Sequence, residues 1–269
     1  MRLIAILSVV VGLGLPVQAD ESRLRSLETG DAGRGWDAVG KLMLGDRGFC
    51  TGTLIRPDVV LTAGHCLFDK ETGARIDAGV IEFLAGWRNG RAVAYRHVRR
   101  AVVHPDYVFS AEDPAERVAH DVAVLELDQP IRLPSVAPFR IEAAPLGGGQ
   151  VGVVSYAQGR SEAPSLQEIC SVLGRMPGTL VLSCSVDFGA SGAPVFTMQD
   201  GAPSVVSVVS AKAEMDGKPI SLASDIGTPL RDILAELDAG GGQLRRAETG
   251  VRVIAGGGGG AKFLRPGAP

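Results

Sequence analysis

An all-β fold closed by one C-terminal helix is predicted for this chain, and three observations carry the prediction. The candidate strands are short, β-branched runs bounded by glycine and proline at turn-rich spacing. They do not alternate with long helical segments, as the strands of an open parallel sheet must. One segment near residue 230 has the apolar period of an amphipathic helix. The 269 residues, 45% of them hydrophobic, are enough for one sizeable unit or two packed halves.

In chain order, residues 1–19 open with Arg2, run apolar from Leu3 to Leu15 and end Val17-Gln18-Ala19, small residues where a signal peptidase reads. A secretory signal peptide is expected there, because the apolar run is shorter than the roughly 20 residues a membrane span needs. The mature chain would begin near Asp20, and no cysteine follows for lipid attachment. Residues 20–35 are polar, charged and glycine-containing, which predicts a mobile leader before a folded body that starts near Trp36. Strands are expected over 38–44 and 51–55. A third comes from Pro57-Asp58-Val59-Val60-Leu61-Thr62, which gives way to a loop at Ala63-Gly64-His65-Cys66.

The basic run Arg96-His97-Val98-Arg99-Arg100 alternates with apolar neighbours and reads as a solvated strand face. Residues 129–145 carry Pro130, Pro134, Pro138 and Pro145, a composition for a surface connector rather than a central strand. Further strands are expected over 151–156, 179–185, 193–196 and 204–211. The helix follows at 228–237, with Thr228 as cap, Pro229 at the first helical position, and Leu230, Ile233, Leu234 and Leu237 on one face. Gly240 lies just past its end. Residues 240–269 are glycine-dominated and read as a flexible tail, with a short strand possible in composition over 251–255. Lys262 stands between Ala261 and Phe263, so the glycine run is not a Walker phosphate loop.

A net charge of -3 argues against a nucleic-acid surface. Cys50, Cys66, Cys170 and Cys184 fit two disulfides in an exported protein; three pairings are open, and the local ones are favoured. A zinc site is disfavoured by the 16- and 14-residue spacings and by the absence of CxxC and HExxH.

Chemistry is concentrated in Phe188-Gly189-Ala190-Ser191-Gly192-Ala193-Pro194-Val195-Phe196. Small residues leave the Ser191 hydroxyl reachable, and Gly189 tolerates backbone angles that a Cβ resists. Such a turn presents a nucleophile and aims backbone N–H groups at the oxyanion formed when it attacks a carbonyl. A base is supplied where a β-branched strand ends at His65.

Thr62-Ala63-Gly64-His65-Cys66 resembles the histidine motif of the trypsin-like, chymotrypsin-fold serine proteases. His120-Asp121-Val122-Ala123-Val124-Leu125 is similar to their aspartate motif and Gly189-Ala190-Ser191-Gly192 to their serine motif. Together these span residues 36–226. The order His65, Asp121, Ser191 is that of chymotrypsin; no histidine follows Ser191, so an α/β-hydrolase triad is excluded.

The resemblance implies two packed antiparallel β-barrels: residues 36–130 with His65 and Asp121, and residues 131–239 with Ser191 and the helix. It implies an exported serine endopeptidase, secreted or periplasmic and monomeric, acting on a protein or peptide through an acyl-enzyme. No metal or organic cofactor, nucleic-acid partner or membrane contact after signal removal is implied. His65 would be the base, Asp121 its orienting acid, and the N–H groups of Gly189 and Ser191 the oxyanion hole. The pocket would be lined by Ser185, Phe188, Val209, Ser210, Ala211 and Lys212. The Cys50–Cys66 spacing is similar to the disulfide that brackets the family's histidine, and Cys170–Cys184 would staple the strand leading to the nucleophile. His97 and His104 are read as structural, and His120 as facing away from Asp121 across a strand.

Three departures matter. Ala190 stands where many trypsin-like enzymes carry an aspartate that pairs with a new amino terminus. No Ile-Val-Gly-Gly opens the folded body, so the site is more similar to bacterial glutamyl-endopeptidase-like branches. Ser185 replaces the acidic residue of a trypsin-type pocket, and Lys212 is a candidate contact for an acidic substrate side chain. The alternative function is a catalytically silent homologue that binds a partner through the same cleft.

Overall fold

The computed structural model describes residues 22–145, 147–199 and 202–245. The chain forms strands β1 (Arg25–Ser26), β2 (Val39–Leu44), β3 (Phe49–Arg56), β4 (Val59–Thr62), β5 (Ile81–Ala85) and β6 (Ala94–Val103). Helix α1 (Pro114–Ala119) and strands β7 (Ala123–Leu127), β8 (Arg140–Ile141), β9 (Gln150–Ala157), β10 (Arg160–Met176) and β11 (Thr179–Leu182) follow. Strands β12 (Pro194–Gln199), β13 (Ala202–Met215) and β14 (Lys218–Asp225) lead to helix α2 (Gly227–Asp238) and a last strand, β15 (Gln243–Leu244).

These strands make two packed β-barrels. In the first, the order β6-β5-β2-β3-β4-β7 is closed by pairing of β7 back to β6; in the second, β10-β11-β14-β13-β12-β9 is closed by β9 with β10. Closure satisfies the edges that short strands would otherwise expose. All these pairings are antiparallel, and the short β8 joins β13 in parallel. The second barrel has its own core, built from residues such as Val153, Val172, Leu180, Leu182, Val195 and Val206. Between the barrels, Trp36 and Phe139 both pack on Phe196, at 4.9 and 4.7 Å between ring centroids. Edge-on aromatic contacts of this kind are worth about 0.5–1.5 kcal/mol each beyond area.

Both local disulfides form, Cys50–Cys66 and Cys170–Cys184, separated by 16 and 14 residues. Loops of that length contribute roughly 3 kcal/mol each by restricting the unfolded chain. The proline-rich connector runs over the first barrel, with Ile131 N–H on Pro57 O and Phe139 N–H on Leu54 O, then reaches the second through Glu142 N–H on Val205 O. The basic run lies on β6, where Arg99 and Arg100 both pair with Glu126. Among the described residues no helix is long and apolar enough to cross a membrane.

Four expectations are corrected. Residues 22–35 are not a mobile leader: β1 pairs with β10 of the second barrel, and Leu27 is fully buried. Arg88 locks the segment by donating to Leu27 O, Gly33 O and Asp37 Oδ1. The tail does not begin at residue 240, because β15 pairs with β6. Helix α2, expected with the second barrel, packs on β6 and β7 of the first. Its cap is Ile226 without a side-chain bond; Asp225 Oδ1 takes the Gly227 N–H instead of Thr228 capping. Leu230, Ile233 and Leu237 are buried as the period requires, and Gly240 past the end takes a φ of 86°. The signal-peptide reading of 1–19 and the strand expected over 251–255 lie outside the described residues.

Candidate active site

Strand β4 is buried throughout and ends at Thr62, after which Gly64–Leu67 forms one 3-10 turn carrying His65. The turn is held from two sides, by the Cys50–Cys66 disulfide and by Asp121. Asp121 follows α1, whose N-terminus is capped by Asp113 with Pro114 at the first position. Burial of the Asp121 carboxylate, 2% exposed, requires donors, and it has three. Its Oδ1 accepts the His65 backbone N–H at 2.7 Å. Its Oδ2 faces His65 Nδ1 at 2.6 Å and accepts the Ser210 hydroxyl. A carboxylate only accepts, so Nδ1 carries the proton and Nε2 is left with its lone pair.

Ser191 and His65 line one cleft of about 650 Å³ between the barrels, together with Phe49, Gln158, Phe188 and Gly189. Among the described residues no hydrogen bond joins the Ser191 hydroxyl to His65. In unliganded sites such a bond is often long and tightens with substrate. Gly189 and Gly192 take φ of 95° and 77°. No described residue accepts from the N–H of Gly189 or of Ser191, whereas Ala190 N–H is committed to Asp187 O and Gly192 N–H to Val209 O. Two uncommitted donors therefore lie at the serine itself and two residues before it, the pair of N–H groups an oxyanion requires.

A side pocket of about 340 Å³ opens beside Ser191, lined by Lys70, Val186, Phe188, Val209, Ala211 and Lys212. Ser185, expected there, lies outside it and is exposed, with its N–H on Gln167 Oε1. Ser210 borders the pocket, but its hydroxyl serves Asp121. That role has no signal in the sequence, where Ser210 is one of three serines in β13 with Ser204 and Ser207. Lys212 Nζ binds Asp187 Oδ1 at 2.9 Å and sits 4.3 Å above the Phe188 ring.

His120 is not on a strand: it caps α1 and stacks on His104 with ring centroids 5.1 Å apart. Burial, then the neighbouring His120, push the His104 imidazole below its ordinary range. His104, Asp106 and His120 bring ligand-type atoms together, but His104 Nδ1 already accepts the Asp106 N–H. Cys50, Cys66 and His65 also cluster, with both sulfurs consumed by the disulfide.

A family model described as a trypsin-like peptidase domain matches residues 50–206, more than half of the chain, and the chain belongs to that family. It is similar to a glutamyl endopeptidase of Bacillus licheniformis, 27% identical over 150 residues, which are 55% of this chain and 45% of that protein. A modular serine protease of Drosophila melanogaster is 30% identical over 89 residues, 32% of this chain and 14% of that protein. The matched stretches thus span less than half the length of either relative. A solved structure of Glu endopeptidase in complex with MPD superposes with a TM-score of 0.66 at 19% identity, covering 83% of this chain and 99% of that one, which shows the shared fold.

Proposed function

We propose that this chain is an exported serine endopeptidase with Ser191 as nucleophile. The observation that carries the reading is the His65–Asp121 pair in one cleft with a serine whose own N–H and that of Gly189 are uncommitted. Asp121 holds the tautomer in which Nε2 accepts the Ser191 proton as the hydroxyl oxygen bonds to the substrate carbonyl carbon. The carbonyl oxygen becomes an oxyanion and accepts from the N–H groups of Gly189 and Ser191, each worth about 3 kcal/mol in such transition states. Collapse breaks the C–N bond, and His65 returns the proton to the leaving amine. Water then repeats the cycle on the acyl-Ser191 ester. The apolar segment ending at Ala19 and two disulfides support export to an oxidising compartment.

A fluorophosphonate should label the folded, disulfide-intact protein, and Ser191→Ala should abolish both labelling and peptide hydrolysis. Unlabelled protein at full folding would leave the silent homologue standing.

For the substrate, we propose an acidic side chain in the pocket that contains Lys212, in keeping with the name of the Bacillus relative. Lys212, then the Phe188 N–H, hold the Asp187 carboxyl below the usual carboxylate range. A depressed pKa keeps the pair intact through neutral and mildly acidic pH; it is lost only as pH falls through the lowered value. Lys212 is therefore partly neutralised by the protein itself. Asp187→Asn should raise the preference for glutamyl over glutaminyl peptides about fivefold, the scale of an exposed ion pair. Equal kcat/KM ratios in wild type and variant would remove Lys212 from the specificity pocket.

A further inference from the structure

We propose that the oxyanion turn is held open by Thr51 from the first barrel and the backbone N–H of Gln158 from the second. These do the work for which Ala190, buried and apolar, has no carboxylate. The inference rests on Ser191 being the nucleophile.

In a trans peptide the C=O and the following N–H point in opposite directions. For the Gly189 N–H to face the cleft, Phe188 O must face away, and it accepts from Gln158 N–H at 2.6 Å. For the Ser191 N–H to do the same, Ala190 O must face away, and it accepts from Ala193 N–H at 2.9 Å. The weak point is Gly189, which lacks a Cβ and rotates readily between peptide orientations. Its own carbonyl is fixed by the Thr51 hydroxyl at 2.9 Å. Thr51 N–H fixes Ser191 O at the same distance. One residue, fully buried, therefore holds the turn on both sides of Ala190.

The hydroxyl is committed in direction as well. Thr51 Oγ1 accepts the Tyr156 N–H at 3.1 Å, and of the two carbonyls within reach of its O–H, Gly189 O at 2.9 Å is nearer than Tyr156 O at 3.4 Å and takes the bond. Thr51 directly follows Cys50, whose disulfide partner directly follows His65. The base and the residue that fixes the peptides next to the two donors thus sit on one covalent ring.

The test compares Thr51→Val, which keeps the shape and removes the hydroxyl, with Thr51→Ser, which keeps the hydroxyl. Gln158→Pro provides an anchor variant outside the core. Gln158 is exposed at the second position of the Ala157–Arg160 hairpin turn, where proline is accommodated and the N–H is lost. Each variant is measured for kcat and KM on a peptide substrate. Each is also measured for inhibition by a peptide aldehyde, whose adduct places an oxyanion in the hole, and by the matching peptide alcohol, which only fills the pocket.

Thr51→Val and Gln158→Pro should lower kcat about 30-fold and weaken the aldehyde by a similar factor. KM and alcohol affinity should be unchanged in Thr51→Val; in Gln158→Pro, whose side chain lines the cleft, the aldehyde should weaken at least about tenfold more than the alcohol. Thr51→Ser should stay within about threefold of wild type. If the aldehyde and alcohol weaken together, or Thr51→Ser is as impaired as Thr51→Val, Thr51 is packing only and the proposal is overturned. If Thr51→Val does not fold, Gln158→Pro decides: full activity there overturns the proposal. A wild-type protein that neither labels with fluorophosphonate nor binds the aldehyde more tightly than the alcohol refutes the protease reading instead.

Discussion

Asp121→Asn should lower kcat about 10,000-fold with the fold intact, the size of effect that a wrong histidine tautomer produces in triads of this order. The reason lies in the three donors that converge on the carboxylate, one backbone N–H on Oδ1 and the His65 ring plus the Ser210 hydroxyl on Oδ2. Asparagine has one accepting oxygen and one donating amide. Its oxygen must face the His65 backbone N–H, which cannot turn away, so the amide falls opposite Nδ1. The ring then takes the tautomer protonated on Nε2, which has no lone pair for the Ser191 proton. Ser210 adapts by rotating its hydroxyl to accept. Active-site titration alongside kcat separates slow turnover from lost protein, and a loss below about tenfold would exclude Asp121 from the machinery.

Gly192→Ala should lower stability by about 3 to 5 kcal/mol, a large share of the roughly 5–15 kcal/mol that holds a domain folded. Gly192 has a φ of 77°, and a Cβ there would lie 2.1 Å from Thr62 Oγ1, 2.4 Å from Thr51 O and 2.9 Å from Ala63 N. None of these is the free end of a flexible chain. Thr62 Oγ1 itself donates to Thr51 O at 2.9 Å, and both threonines are fully buried. Gly159→Ala is the matched control, with a φ of 79° and nothing within 4 Å of the new methyl. It carries the backbone cost of about 1 kcal/mol alone. Urea midpoints measured with disulfides intact should therefore fall far more for position 192 than for 159. Equal shifts would mean that the nucleophile turn is not pressed against the first barrel.

Much of the site was legible because its parts sit at strand ends marked by local patterns. The run Val59 to Thr62 ends at His65, and the small residues around Ser191 mark a turn. What escaped depended on single residues meeting across the chain. Leu27 is one apolar side chain among charges, so composition described its neighbours and missed its burial. Strand β10 carries Glu162, Gln167, Glu168 and Arg175, and its register shifts between Arg160 and Ser165 and again between Gln167 and Cys170, so no clean two-residue period survives. The sequence puts His120 on a strand because the six-residue α1 before it is too short to show a helical period. Thr51 and Gln158 act through backbone carbonyls of another segment, a partnership that no local pattern records.

The strap formed by β1 bears on the order in which this chain reaches its final state. Arg25 finds its partner only when Leu166 is available, and β6 gains its last neighbour only from Gln243 and Leu244. The earliest and latest described segments both close contacts of long sequence separation, which form slowly. Each sheet therefore gains an outer strand only from a segment far away along the chain, so the seams at β1 and β15 are the last of the described pairings to close and the first to open.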